Sequence, residues 1–314
     1  MPPSYFHSII GHERALTVLG RMLERGQIPH AFLFVGPHHI GKTLIAKQLM
    51  QALGGNVMDV IELSCLTDEK TGKKKTQISV EQVRDACERL ALSSMSGGWK
   101  IAFIKDANLL SVGAANALLK TLEEPKGKTL FILRAPSQDS LMPTISSRCQ
   151  VLRFTPVDHP TLAHALLKRG FDKQDAERAA SLSFGRPGRA LRYLTKSEDR
   201  ARIDVGVAQA SELFSSDIAS QIKCISTLLP KEDVNKRIVA DQTIRVWQGV
   251  MRDAFLKEIG CEELMVYQDV HPQEKYKVSL EKMIDRLKRA EEARTAIAQN
   301  ANPQLVLEHI LFHS

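Results

Sequence analysis

The chain has 314 residues, of which 43% are hydrophobic and 25% charged, so at roughly 150 residues per domain it has room for two or three domains and is neither disordered nor fibrous in composition. Aromatic residues supply only 5%, which leaves a mostly aliphatic, helix-leaning apolar content, and 43 Lys and Arg against 36 Asp and Glu give a net charge of +7 that suits contact with polyanions. Cys65, Cys87, Cys149, Cys224 and Cys261 are dispersed and never form CxxC, which argues against a four-cysteine zinc site or a disulfide framework; with no signal-peptide pattern and no long apolar run, a cytoplasmic chain without a membrane span is expected.

Residues 31–35 (AFLFV) form a continuous apolar run, the pattern of a strand covered on both faces. Residues 42–53 come next with Ile45, Leu49 and Leu53 at helical spacing, and 56–63 read as a second strand. The polar stretch 67–77, with Lys73, Lys74 and Lys75, reads as a solvated loop. A helix is predicted over 79–92, opened by Ser79 with Gln82 three residues on, which fits a capping box. Residues 101–104 form a third strand leading to Asp106. Residues 108–124 read as a helix through Leu110, Ala114, Ala117, Leu118, Thr121 and Leu122, closed by Pro125. Residues 130–133 and 150–154 supply a fourth and a fifth strand. Strand and helix in turn imply an α/β domain with a parallel sheet and helices on both faces.

After Pro156 the strand patterns stop. Residues 159–193 read as short helices broken at Gly170 and at Gly185-Arg186-Pro187-Gly188. From about Arg200 onward the pattern is helical almost throughout, with an apolar stripe of Leu280, Met283, Ile284, Leu287 and Ala290. The chain thus divides into three regions: an α/β domain over 1–156, a small helical domain over 157–199 and an all-α domain over 200–314.

Gly36-Pro37-His38-His39-Ile40-Gly41-Lys42-Thr43 matches G-x-x-x-x-G-K-[ST] between a predicted strand and a predicted helix, the context a phosphate-binding P-loop requires. Loop N–H groups would wrap the phosphate oxygens of ATP, Lys42 would reach the β- and γ-phosphates, and Thr43 and Asp106 would hold Mg²⁺. The expected cofactor-binding set is therefore Gly36, Gly41, Lys42, Thr43 and Asp106. Hydrolysis also needs a carboxylate to orient water. Ala107, beside Asp106, has none, and Glu123 and Glu124 lie about 25 Å further along at 1.5 Å per residue. The site is thus predicted to hold nucleotide and to split it poorly. His39 places a Cβ and an imidazole where backbone approaches phosphate, and a positive φ there would weaken binding. Metal or zinc ligation by the adjacent His38 and His39 is not expected without further ligands. Arg148, in Ser147-Arg148-Cys149, is expected on the sheet's flank, either in a local ion pair or facing a neighbouring subunit's nucleotide.

Phe6-His7-Ser8-Ile9-Ile10-Gly11, HAFLFVGP over 30–37, the P-loop, NALLKTLEEP over 116–125 and Ser146-Ser147-Arg148-Cys149 stand in the order and spacing of bacterial clamp-loader subunits of the AAA+ class. Within that class the chain resembles the delta-prime subunits of DNA polymerase III. The closing NANPQLVLE over 300–308 is similar to the motif that ends their helical collar domain. The resemblance is dense over 5–155, weaker over 156–278 and recovers near the C-terminus. Ala107 stands where the gamma/tau motor subunits carry a catalytic glutamate, and ISVEQVR over 78–84 is similar to a delta-prime signature. FILRAP over 131–136 lacks the threonine pair of the motor's first nucleotide sensor, and GRPGRAL over 185–191 has glycine where the second sensor has arginine. The four-cysteine zinc module of many loader subunits is missing.

The resemblance implies an AAA+ P-loop domain, a helical lid and an all-α collar. It implies a stator within a loader that places a sliding clamp on primed DNA, with gamma/tau motor subunits and a delta subunit as partners. It also implies membership of a DNA polymerase holoenzyme, and a role for Arg148 in trans on the neighbouring motor's ATP. Two other readings stay open: an active AAA+ motor, on the intact P-loop, and a DNA-binding protein outside replication, on the basic charge.

Overall fold

In the computed structural model, residues 4–54, 59–67, 75–92, 97–213, 218–229, 233–267, 279–299 and 301–312 are described. Two units are present, Met1–Leu191 and Arg192–Ser314. In chain order the elements up to the first unit's end are α1 (Glu13–Arg25), β1 (Ala31–Val35), α2 (Lys42–Ala52), β2 (Val60–Leu63), α3 (Val80–Ala91), β3 (Lys100–Ile104), α4 (Val112–Glu123), β4 (Thr129–Ala135), α5 (Pro143–Ser146), β5 (Gln150–Arg153), α6 (His159–Lys168), α7 (Lys173–Ser183) and α8 (Pro187–Thr195).

The five strands form one parallel sheet in the order β2-β3-β4-β1-β5. Residues of β1 and β3 are buried throughout, whereas the edge strands β2 and β5 alternate with exposed positions. Successive side chains leave opposite faces of a strand. Ala31, Leu33 and Val35 accordingly join a core with α3 and α4, while Phe32 and Phe34 join a second core with α1 and α2. The uninterrupted apolar run in β1 is the consequence of being covered twice.

The Ser79 cap is present: its hydroxyl accepts from Gln82 N, and the Gln82 side chain accepts from Ser79 N at 3.1 Å. The helix expected from residue 108 begins instead at Val112, capped by Ser111, and residues 107–109 form a 3₁₀ turn. The cause is a parallel bridge between Ile78 and Leu110. Ile78 N donates to Leu109 O at 2.8 Å and Ser111 N donates to Ile78 O at 3.0 Å, which holds this backbone extended. The second strand is shorter than expected, and residues 56–58 lie outside the described residues. So do Lys73 and Lys74, while Lys75 N donates to Leu66 O.

Beyond α8 every labelled element is a helix: α9 (Ser197–Leu213), α10 (Ile218–Leu228), α11 (Asp233–Glu258), α12 (Leu280–Ala298) and α13 (Pro303–Phe312). Buried Asp253 on α11 accepts from Val266 N and Tyr267 N at 2.7 and 2.6 Å, pinning the chain that comes after the helix. The stripe expected on α12 is buried only toward its C-terminal half. Ala290, Ala293 and Ile297 are buried, while Leu280 and Ile284 are 43% and 41% exposed. Small side chains allow close approach of a neighbouring helix. Gln248–Glu291 and Arg294–Asp241 hydrogen bonds join α11 to α12 along this half. Among the described residues no helix is long and apolar enough to cross a membrane.

Candidate functional site

The chain leaves β1 through Gly36 at φ 147°, where a Cβ would stand 2.2 Å from Phe154 O, so the loop's first residue is pressed against the backbone just past β5. Gly41 has φ 112° and precedes α2. His39 has φ 63°, the left-handed conformation in which a side chain is uncommon. Its carbonyl accepts from Gly188 N at 2.8 Å, so the start of α8 is hydrogen-bonded to the top of the loop. The side chains of both His38 and His39 are exposed. Among the described residues no group of three or more His, Cys, Asp or Glu is arranged to hold a metal.

Lys42 opens α2 with its side chain turned back into the loop, donating to Gly36 O and to Pro37 O at 2.8 Å. Burial pushes its ammonium down to about 8, with the Arg134 guanidinium adding to the effect and Asp106 opposing it. A cation so held is already paired with loop carbonyls, which phosphate oxygens would have to replace.

Strand order completes the site. β4 lies between β3 and β1, so Arg134, in register with Phe34 near the ends of the strands, stands between the loop that leaves β3 and the loop that leaves β1. Its Nη1 donates to Thr43 Oγ1 at 2.5 Å, its Nη2 to Asp106 Oδ1 at 2.7 Å, and its Nε to Lys105 O. Thr43 and Asp106 are the two oxygen ligands expected of Mg²⁺. One guanidinium engages both, and a divalent ion needs such oxygens at 2.0–2.1 Å in near-octahedral array, so these residues as arranged do not fit the ion. Ala107, next to Asp106, is buried in the core and offers nothing to a water.

A cleft of about 400 Å³ opens on this site, in the size range of small-ligand pockets. Its walls are the Ser8–Ile9–Ile10 segment, residues 37–44, and Pro187, Gly188 and Leu191, with Arg134 and Arg169 also lining it. The Arg169 guanidinium donates to Ser8 O. Among the described residues the lining carries Lys42, Arg134 and Arg169, and Asp106, bonded to Arg134, is not part of it. The structure thus brings Gly41, Lys42 and Thr43 to one wall, with Gly36 and Asp106 adjoining. Neither arginine is among the site residues expected from sequence. The available signal for Arg134 is a charged residue inside an apolar strand, which buried strands tolerate only with a partner.

Arg148 lies apart from this cleft, after α5. Its Nη1 donates to Thr144 O at 2.9 Å and its Nη2 pairs with Glu123 Oε1 at 2.5 Å, with the two side chains 36% and 49% exposed. The local ion pair weighed from sequence is therefore present, and an exposed pair of this kind contributes about 0–1 kcal/mol. The next residue, Cys149, has its thiol pushed up to about 12 by burial. Since the thiolate is the nucleophile, iodoacetamide at pH 8 is expected to alkylate Cys149 about a thousandfold more slowly in the native chain than after denaturation, read by mass spectrometry of peptides. Equal rates in the two states would contradict the burial.

Residues 11–158 match the family described as DNA polymerase III, delta subunit. The chain is 26% identical over 290 residues to the DNA polymerase III subunit tau of Salmonella typhimurium, covering 84% of this chain and 42% of that protein. It is 42% identical over 119 residues to the DNA polymerase III subunit delta' of Haemophilus influenzae, covering 37% of this chain and 36% of that one. The chain thus spans less than half the length of these two relatives. A solved DNA polymerase III gamma subunit-related protein of Thermotoga maritima shares the fold, with a TM-score of 0.54 at 17% identity over 93% of this chain and 97% of that one. The resemblance to DNA polymerase III clamp-loader subunits, delta-prime included, stands on these matches.

Proposed function

We propose that this chain, similar to DNA polymerase III clamp-loader subunits and sharing their parallel-sheet α/β fold, is a delta-prime-like stator of that loader. It holds its place in the ring, helps to set a sliding clamp on primed DNA, and does not drive the cycle by its own ATP hydrolysis. Residues 157–199 act as the lid and 200–314 as the collar that packs with other subunits. Gamma/tau motor subunits and a delta subunit are the direct partners, while clamp and DNA are met through the complex. Arg148 reaches the ATP of the adjacent motor subunit.

The observation that carries this reading is Ala107. The position after Asp106, where water activation needs a carboxylate, holds a buried methyl group. Among the described residues, none of those lining the cleft is Asp or Glu. Nucleotide and Mg²⁺ remain proposals for Gly36, Gly41, Lys42, Thr43 and Asp106, with the phosphate loop supporting the first and the Arg134 contacts weighing against the second.

The second reading, an active gamma/tau-like motor, draws on the intact G-x-x-x-x-G-K-T loop. Steady-state phosphate release separates the two. The purified chain is expected to release far less than about one phosphate per second, the low end of ordinary enzyme turnover, and to co-purify in a complex whose mass and composition match a loader. Brisk release by the chain alone would favour the motor.

A further inference from the structure

The two oxygens that the phosphate loop would offer to a divalent ion are joined by a side chain of the same protein. We propose that the Arg134 guanidinium is a built-in cation at the metal position, so that the cleft takes the polyphosphate of a nucleotide without a divalent ion. The inference rests on reading the cleft as a phosphate site and is independent of assembly and turnover.

Three observations converge on it. Arg134 contacts Thr43 Oγ1 and Asp106 Oδ1 through different nitrogens, and the backbone of Lys105 holds its Nε, so all three nitrogens of the fork are used and the group is fixed in place. Arg134 lines the cleft and its partner Asp106 is not among the lining residues, so the guanidinium is the member of the pair that faces the cleft. The Arg134 and Asp106 side chains are only 21% and 22% exposed. Separating such a pair leaves a partly desolvated charge behind, so the guanidinium is not readily displaced.

The electrostatics point the same way. In an ordinary P-loop site the ion neutralises phosphate charge and is itself held by the hydroxyl and the acid. Here a divalent ion would meet Arg134 at its own ligands and be repelled. The lining carries Lys42 and Arg169 beside Arg134, whose charge is shared with Asp106, and among the described residues no Asp or Glu lines it. Three of the five N–H donors of Arg134 go to Lys105, Thr43 and Asp106, which leaves one on each Nη for phosphate oxygens.

The test is a titration of the full chain with ATP, monitored by calorimetry, once in excess EDTA and once in excess Mg²⁺. The wild-type chain is expected to bind ATP in EDTA at least as tightly as in Mg²⁺. Arg134→Ala should lose about tenfold or more in EDTA, as expected for removing a charge-assisted contact, and regain affinity when Mg²⁺ is added, because Thr43 and Asp106 become available. Arg134→Lys, which keeps the charge and guards against a folding defect in the alanine variant, should retain binding in EDTA at an intermediate level. Wild-type binding that requires Mg²⁺, absence of ATP binding in both buffers, or an Arg134→Ala variant that behaves as wild type in both would each overturn the proposal. The stator reading fails on separate grounds, through hydrolysis by the lone chain or absence from the loader.

Discussion

Arg148→Ala, introduced into a reconstituted loader, is expected to leave this chain folded and assembled while lowering DNA-stimulated ATP hydrolysis at the adjacent subunit's site by about 10³-fold or more, the range of arginine fingers supplied in trans. The structure explains why folding would be spared. Arg148 is partly exposed, and its guanidinium bonds to Thr144 O, Ser147 Oγ and the Glu123 carboxylate, so its removal forfeits little more than a surface ion pair, about 1 kcal/mol or less. The same weak pairing leaves the guanidinium ready for a phosphate, which offers more acceptor oxygens and more charge than the Glu123 carboxylate. Because Arg148 does not line this chain's own cleft, ATP binding by the variant chain should match wild type. Undiminished phosphate release by the loader would reject the role in trans, and a loss of assembly would assign Arg148 to packing.

Gly36→Ala is expected to have the largest effect on stability. At φ 147° a new Cβ would fall 2.2 Å from Phe154 O and 3.1 Å from Phe154 C, both backbone atoms with no rotamer to escape through. Phe154 N is itself bound to Val35 O at 2.8 Å, and Gly36 N to Ala135 O at 3.3 Å, so relief requires the end of β1 to part from one neighbour or both. Backbone strain and overpacking each contribute about 1–3 kcal/mol, and together a loss of about 3 kcal/mol or more is expected in urea denaturation. A variant within about 1 kcal/mol of wild type, close to the ordinary scatter of surface changes, would show that this contact yields easily.

Where a structural decision is made by neighbours in sequence, it is legible there. Ser79 and Gln82 are three residues apart and close their cap without help from elsewhere. AFLFV announces a doubly covered strand because each of its five side chains must find an apolar partner, whichever face it leaves by. The spacing of the P-loop between strand and helix is likewise local. The helix start at Val112 escapes a reading of periodicity because Leu109 to Ser111 are claimed by Ile78, more than thirty positions earlier, and such a bridge leaves no mark on the helical pattern. The extent of the α12 stripe escapes it for a related reason. Periodicity marks an apolar face, but only the packing of α11 decides how much of it is covered.

Sequence alone determined the alternation of strands and helices, the phosphate loop, the missing carboxylate at Ala107 and the likeness to clamp-loader subunits. Tertiary structure alone decided what Thr43 and Asp106 hold. Arg134 is 91 positions from the first and 28 from the second, and the three meet because β4 inserts between β1 and β3 in the sheet. Strand order arises from the closing of crossovers over a shared core and not from the period of any one segment, so a cation carried at the end of the fourth strand reaches ligands that belong to the loops after its two neighbours.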